Sequence, residues 1–421
     1  MKGFIVDASH SIEQNKTQIN IFGRLENSRS FIAAKTFEPY FFIKKTELKK
    51  VEKLLAKYKI EESSFANFKE EKVIKISSAI QTEINKLAQV LHHKNIDTYE
   101  ADIKPVARFL IDNNIFASLE IEGESVPSER VDLIFNEPLI KSAECKPKIK
   151  VISLDTESNK KTGQLFCIGL YGENYQKNFM VTKEKLKHVV SCKDELDCLQ
   201  KFRNELLSLD PDIITGWSVI DFDLAYLKSL FEKHKLPFDL GRTSESVRIR
   251  LESNFFRSSK ASIPGRQVLD ALNLIRDPFI KEAPSIKNAE FDSYSLEDVA
   301  QKILGTGKLL KGKGRHDEIE KLYSKDPQKI ADYNLLDCKL VYDIIIKTKI
   351  IELAIFRSEL TGLPLDRITA SIAAFDSLYI REARKKSLVS PTTRYQQKEE
   401  RIKGGYVQSL KPGIYHNVLI M

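Results

Sequence analysis

Four acidic residues and one tyrosine stand in contexts that suit metal-dependent chemistry. Asp155 and Glu157 follow an apolar, strand-like run, and Asp223 stands at the predicted start of a helix. Residues two apart on an extended chain point to the same side, so the carboxylates of Asp155 and Glu157 share one face. Tyr333 and Asp337 are four residues apart on a predicted helix, which places them on one face as well.

Such a set suits hydrolysis of a phosphodiester by two divalent metal ions. Two ions about 3.5–4 Å apart can hold the attacking and the leaving oxygen. Mg²⁺ or Mn²⁺ would be the ions, because hard cations take oxygen ligands and carboxylates supply them. We expect Asp155 to bridge both ions, with Glu157 and Asp337 completing one site. Asp223 would hold the other ion, partly through water, and Tyr333 would orient the attacking water.

Each of these features alone has an ordinary structural explanation. Acids at a strand end often belong to a solvated loop, and an acid in the first turn of a helix compensates the helix dipole. A tyrosine four residues before an aspartate is common on helices. The order of the features along the chain, on a strand, a helix start and a late helix, favours the metal site.

Alternating strands and helices surround these residues and predict an α/β domain with a mixed sheet. The predicted elements are strands at 150–154, 164–171, 177–181 and 211–217, helices at 194–209, 221–234, 295–304 and 326–349, and a hairpin at 255–269 with its turn near 263–265. Before residue 149, short β-like runs alternate with helical spacing. We therefore expect a mixed α+β protein overall, with a separate N-terminal α+β domain.

Composition and local sequence argue against a membrane-spanning, secreted, zinc-binding or disulfide-stabilised protein. The 421 residues are 42% hydrophobic and 30% charged, typical of a globular chain. No apolar run approaches the ~20 residues that span a bilayer, and Asp7 comes too early for a signal peptide, so we expect a cytoplasmic protein. The five cysteines form no C-x-x-C pair, which argues against a zinc site or a disulfide framework. We expect them to be reduced and mostly buried.

Positive charge is concentrated near the end of the chain. The formal net charge is +8, and the segment 381–411 holds nine basic residues against three acidic ones. Composition alone leaves two explanations open: a solvated flexible segment, or a stretch that contacts phosphates.

Three segments together resemble the exonuclease motifs of family B DNA polymerases, and within that family those of bacterial DNA polymerase II. They are Leu154-Asp155-Thr156-Glu157, Gly216-Trp217 through Phe222-Asp223, and Tyr333-Asn334-Leu335-Leu336-Asp337. Further likenesses at 99–105, 210–214, 295–300, 362–367 and 404–407 extend the resemblance over nearly the whole chain. The second motif usually carries asparagine where Ser218 stands, which puts the full proofreading rate in question.

The resemblance implies a fold and a domain plan. Residues 149–349 would form an RNase H-like 3′→5′ exonuclease domain beside an N-terminal domain at 1–148. Residues 350–393 would be a helical segment that returns to the N-terminal domain, and residues 394–421 the start of a palm domain. The predicted hairpin would help to partition the primer end between the two activities.

The resemblance also implies contacts with DNA. Ser218 and Phe222 would lie beside the single-stranded 3′ end of the primer. The segment Lys403-Gly404-Gly405-Tyr406 resembles the family's linker between exonuclease and palm, which contacts the DNA backbone. This favours phosphate contacts for the basic segment.

The family's palm motifs, D-x-x-S-L-Y-P-S and Y-G-D-T-D, do not occur in the sequence. We therefore expect proofreading hydrolysis of 3′-terminal nucleotides and no DNA synthesis from this chain alone, whether it is a fragment of a longer polymerase or half of a split one. The implied partners are primer-template DNA, the remaining polymerase domains in cis or as a second chain, and a sliding clamp. The alternative is an inactive exonuclease fold that serves as a scaffold for DNA and a partner polymerase half.

Overall fold

A computed structural model describes residues 1–146, 148–252, 258–286, 289–307, 315–393 and 413–416. Within these ranges, no helix is both long and apolar enough to cross a membrane. All five cysteines are free and buried, as the sequence predicts.

Strands dominate the first part of the chain. The strands are β1 (Lys2–Glu13), β2 (Lys16–Leu25), β3 (Ser30–Phe37), β4 (Tyr40–Lys44), β5 (Lys59–Ala66), β6 (Lys72–Ser77), β7 (Thr98–Tyr99), β8 (Ser118–Glu122), β9 (Ser125–Val126), β10 (Leu133–Asn136) and β11 (Leu139–Ser142). The helices are α1 (Leu48–Leu55), α2 (Gln81–His93) and α3 (Pro105–Asp112). One sheet has the order β11-β8-β1-β2-β3-β10-β9 and a second the order β5-β6-β4-β7. Helices α1 and α2 bury their apolar faces on the second sheet, which gives the α+β character that the sequence predicts.

A six-stranded mixed sheet forms the centre of the next part. The strands here are β12 (Val151–Ser158), β13 (Leu165–Gly172), β14 (Tyr175–Val181), β15 (Val189–Cys192), β16 (Ile213–Gly216), β17 (Arg248–Arg250), β18 (Lys260–Ser262) and β19 (Gln267–Asp270). The helices are α4 (Glu195–Leu209), α5 (Ala225–Lys233), α6 (Ala271–Arg276), α7 (Pro278–Lys281), α8 (Leu296–Leu304), α9 (Arg315–Lys325) and α10 (Pro327–Lys347). The sheet order is β15-β14-β13-β12-β16-β19, with β12 antiparallel to β13 and parallel to β16. This confirms the predicted mixed α/β fold.

Helices cover both faces of this sheet. Leu154 and Ile168 point to the face where they share an apolar cluster with Phe202 of α4. Their neighbours along the strands point to the opposite face, against which α10 packs. Helix α10 begins as the sequence predicts, with the Asp326 side chain accepting from the N–H of Lys329 and a proline at the first helical position.

Two predicted elements differ from the structure. The helix expected from residue 221 begins with a π-helical turn, Ile220–Leu224, before α5. The hairpin was expected at 255–269, but β17 pairs with β18, so its loop lies between 250 and 260. Residues 253–257 of that loop lie outside the described part. Ile263–Arg266 instead form a tight turn, with Gly265 at a φ of +78°, that leads into β19 of the main sheet.

A buried ionic network joins the two parts at the start of β16. Asp212, which is fully buried, accepts from the guanidinium groups of Arg24 and Arg242 and from the N–H of Lys150. Burial raises the pKa of the adjacent Asp210, but the neighbouring arginines, Arg242 foremost, hold it below the usual value. The network fixes β12 and β16 to the strand β2 that carries Arg24.

The last described helices are α11 (Ile350–Thr361) and α12 (Ser371–Lys385), after which the chain contacts the N-terminal part. Val389 pairs with Ala66 of β5 through its backbone N–H. Arg381 is buried and donates to the carbonyl of Ile115, and Arg384 binds the carboxylates of Glu100 and Asp112. Protein groups therefore already bind these two arginines of the basic segment, and phosphate contacts by the segment stay a prediction.

Candidate active site

Three of the predicted carboxylates converge on the face of the sheet under α10. Ligand oxygens of Asp155, Glu157 and Asp337 lie within 4.8 Å of one another. Strand β12 continues to Ser158, so Asp155 and Glu157 lie within the strand rather than after it. Glu157 and Asp337 are buried, and Asp155 is partly exposed. The donors are all carboxylate oxygens, which suit a hard divalent cation.

Asp223 lies beside this group but is not one of the three. Its Oδ1 atom accepts from the backbone N–H of Thr156 at 2.8 Å and from the Thr156 hydroxyl at 2.7 Å. Burial, then the negative charge of Asp155, and more weakly that of Glu157, raise the pKa of Asp223 well above its usual value. Asp223 and Asp155 therefore interact electrostatically, as adjacent members of one acidic centre would.

The negative charge of the centre also acts on two buried thiols. Burial foremost, with the charges of Asp155 and Asp337, raises the pKa of Cys338. Burial, with the charges of Glu157 and Asp155, does the same for Cys167. Because the carboxylates of Asp155, Glu157 and Asp337 concentrate negative charge at a mostly buried site, the site favours bound cations.

The other predicted site residues occupy distinct positions. Tyr333 lies one helical turn before Asp337, but its side chain is only 1% exposed and packs in an apolar cluster with Phe166 and Met180. Phe222 projects from the π-helical turn with 69% exposure. Ser218 is nearly buried and has a φ of +60°. The predicted contacts Lys403, Gly404, Gly405 and Tyr406 lie outside the described residues.

Sequence reasoning missed side chains that support the acids. Asn334 donates to the Oδ2 atom of Asp155 at 2.7 Å, and Thr156 holds Asp223. Both stand inside the quoted motifs, and Asn334 could have been found because it lies three residues before Asp337, on the same helical face. Asn178, which donates to Asn334, has no such signal, because only the register of β13 and β14 brings it near.

Comparison with known proteins gives the class to which this fold and site belong. The model of the family "DNA polymerase family B, exonuclease domain" matches residues 157–299. The six-stranded mixed sheet with α10 across it is the RNase H-like sheet of that domain. The chain carries the exonuclease domain of family B DNA polymerases.

Two curated relatives and one solved structure are similar to the chain. DNA polymerase II of Escherichia coli is 32% identical over 79% of this chain and 41% of its own length. A DNA polymerase of Methanocaldococcus jannaschii is 23% identical over 99% of this chain and 25% of its own length. The chain thus spans less than half of either relative.

The solved structure of the family B DNA polymerase from Pyrobaculum calidifontis superposes with a TM-score of 0.72. That match covers 95% of this chain and 52% of that chain, at 18% sequence identity. At this identity the match shows the fold, and the fold agrees with the family.

Proposed function

We propose that the chain is a 3′→5′ proofreading exonuclease that removes 3′-terminal nucleotides from single-stranded or frayed DNA. The observation that carries the proposal is the convergence of Asp155, Glu157 and Asp337 within 4.8 Å, with Asp223 held beside them. Their arrangement suits two divalent ions, Mg²⁺ or Mn²⁺. Asp155, Glu157 and Asp337 would hold one ion, and Asp223 would hold the other with Asp155.

Bound divalent ions would supply charge stabilisation to both oxygens of an in-line displacement and lower the pKa of the attacking water. The protein's own part is to fix the geometry. Helix α10 brings Asp337 onto the face that presents Asp155 and Glu157, and Thr156 fixes the Asp223 carboxylate. Tyr333, one turn from Asp337, would position the attacking water through its hydroxyl.

Exposed Phe222 gives the terminal nucleotide a surface to contact. Its ring stands on the turn that carries Asp223, and aromatic rings stack with bases without regard to sequence. Ser218 accepts the N–H of Phe222 at its carbonyl and so supports that turn. We therefore place the frayed 3′ base at Phe222 and its phosphodiester at the carboxylates.

The wider setting follows from the relatives. We propose that the chain works on primer-template DNA beside polymerase domains in cis or in a second chain, with the segment 403–406 contacting the DNA backbone. We also propose that the protein contacts a sliding clamp and works in the cytoplasm. The division into domains at 148, 349 and 393 stays a prediction.

The test uses a 5′-labelled single-stranded oligonucleotide incubated with the purified chain in Mg²⁺ or in EDTA. We expect a ladder of products shortened from the 3′ end in Mg²⁺ only. The double variant Asp155→Ala/Glu157→Ala, purified in the same way, should fold and produce no ladder, which excludes a contaminating nuclease. DNA binding without cleavage by the wild-type protein would instead support the scaffold alternative.

A further inference from the structure

A row of three residues crosses the sheet beneath α10. Asp155 of β12 is paired with Gly169 of β13, and Gly169 is paired with Asn178 of β14. Paired residues point to the same face, so the side chains of Asp155 and Asn178 stand two strands apart, roughly 10 Å, with no side chain between them.

Asn334 of α10 fills this gap. Its Nδ2 atom donates to Oδ2 of Asp155 at 2.7 Å, and its Oδ1 atom accepts from Nδ2 of Asn178 at 2.7 Å. Asn178 and Asn334 are fully buried. A Cβ atom on Gly169 would lie 2.1 Å from Oδ1 of Asn334. Glycine at 169 is therefore what lets the amide reach both partners.

The direction of the hydrogen bonds is set by Asp155. An ionised carboxylate only accepts, so Asn334 must present its NH₂ group to Asp155. Its carbonyl oxygen then faces Asn178, which must donate. The two amides therefore form a relay in which Asn178 donates to Asn334 and Asn334 donates to Asp155. These hydrogen bonds hold Oδ2 of Asp155 in one orientation.

We infer that Asn334 and Asn178 are positioning residues that orient Asp155 for divalent-cation binding, with Gly169 as the gap that admits them. This rests on the proposed function, since it assigns Asp155 to the metal site. Groups that hydrogen-bond a metal-binding carboxylate orient it, and their removal typically lowers metal affinity or activity by about 10–100-fold.

The experiment measures Mn²⁺ binding by calorimetry and DNA binding by fluorescence anisotropy in EDTA. Asn334→Leu keeps the branched shape of the side chain and removes both hydrogen bonds of the relay. We expect its Mn²⁺ affinity to fall about 10-fold, with unchanged affinity for single-stranded DNA in EDTA. Asn178→Leu should give a smaller loss, because Asn334 can still donate to Asp155.

Two further variants separate positioning from general destabilisation. In Asn334→Leu/Asn178→Leu, the second change should cost no further Mn²⁺ affinity, because the relay is already broken. Asn67 is also buried and bonded to side chains, Glu71 and Tyr99, but it lies in the N-terminal part. Asn67→Leu should lower the melting temperature to a similar degree and leave Mn²⁺ affinity unchanged.

If Asn334→Leu does not fold, Gly169→Ala tests the same relay, because its methyl group displaces Asn334 while both amides remain. Mn²⁺ affinity equal to that of the wild type in the folded variants, or additive losses in the double variant, would overturn the inference. Absence of Mn²⁺ binding by the wild type would overturn it too. If the wild type binds Mn²⁺ but leaves DNA intact, the exonuclease proposal fails, while the Mn²⁺ affinities still decide the role of the relay.

Discussion

Replacing Asp223 by asparagine should stabilise the metal-free protein, because the change removes a buried charge and keeps its hydrogen bonds. The Oδ1 atom of Asp223 accepts from the N–H and the hydroxyl of Thr156, and an asparagine Oδ1 atom accepts both equally well. Burial, then the charges of Asp155 and Glu157, raise the pKa of Asp223 well above the usual value. The carboxylate therefore opposes folding at pH 7.

Proton uptake sets an upper limit to this cost. A carboxyl group with the ordinary pKa of 3.8 can be neutralised at pH 7 for about 4 kcal/mol, since each pH unit corresponds to about 1.4 kcal/mol. If the buried charge destabilised the folded state by more than this amount, the carboxyl group would bind a proton in the folded state instead. We expect Asp223→Asn to raise the free energy of unfolding at pH 7 in EDTA, by at most about 4 kcal/mol.

Urea denaturation followed by circular dichroism measures the change. A raised folded-state pKa means that the wild type is most stable below the unfolded pKa and loses stability as the pH rises through the folded pKa. The advantage of Asp223→Asn should thus be largest near neutral pH and vanish once the pH falls well below the ordinary pKa of 3.8, where the wild-type carboxyl is protonated in both states. Saturating Mn²⁺ should reverse the order, because it stabilises the intact ligand set more.

Asp221→Asn is the matched control. Asp221 is exposed on the same turn and accepts from Ser259, so its replacement should change stability by less than about 0.5 kcal/mol. Lower stability of Asp223→Asn in EDTA would refute the reasoning, as would an advantage that grows while the pH falls. Either result would mean that its partners in the fold stabilise the ionised form of Asp223.

Three further predictions follow from other parts of the structure. Tyr333→Phe should slow cleavage by about 10²–10⁴-fold without changing Mn²⁺ affinity, and an unchanged rate in single-turnover kinetics would leave Tyr333 as a packing residue. Asp212→Asn should lower the free energy of unfolding by about 3–5 kcal/mol in urea, because it leaves Arg24 and Arg242 buried with too little counter-charge. Ser218→Gly should raise stability by about 0.5–1 kcal/mol, because serine is strained at a φ of +60°. A loss of stability there would show that the Ser218 side chain matters more than its backbone.

The sequence predicted the mixed sheet and the main helices because their signals are local. The apolar run before Asp155 gives β12, and the Asp326-Pro327 cap gives the start of α10. The hairpin was misplaced because Ile263-Pro264-Gly265 is a turn signal that does not say which strands it joins. The turn instead leads into β19, whose apolar run is buried beside β16.

The site could be predicted only in part, because local sequence signals do not determine which strands pair or in which register. Side chains two or four residues apart share a face by local geometry, so the motifs identify the acidic residues themselves. Some of the side chains that support these acids are brought near them only by the register of the strands. A shift of β14 by one residue would turn Asn178 to the other face, and nothing local in the sequence sets that register.

The two ends of β12 explain how a fold tolerates such a concentration of negative charge. At its start, the N–H of Lys150 donates to Asp212, which arginines bind, and this fixes β12 against β16. Toward its other end, the strand presents Asp155 and Glu157 to each other and to Asp337. Mutual repulsion of these carboxylates would relax if β12 could move away from its neighbours, but the ionic network and the ladder to β13 hold it in place. The repulsion therefore remains in the metal-free site, and cation binding relieves it, so part of the metal affinity originates in residues that never contact the metal.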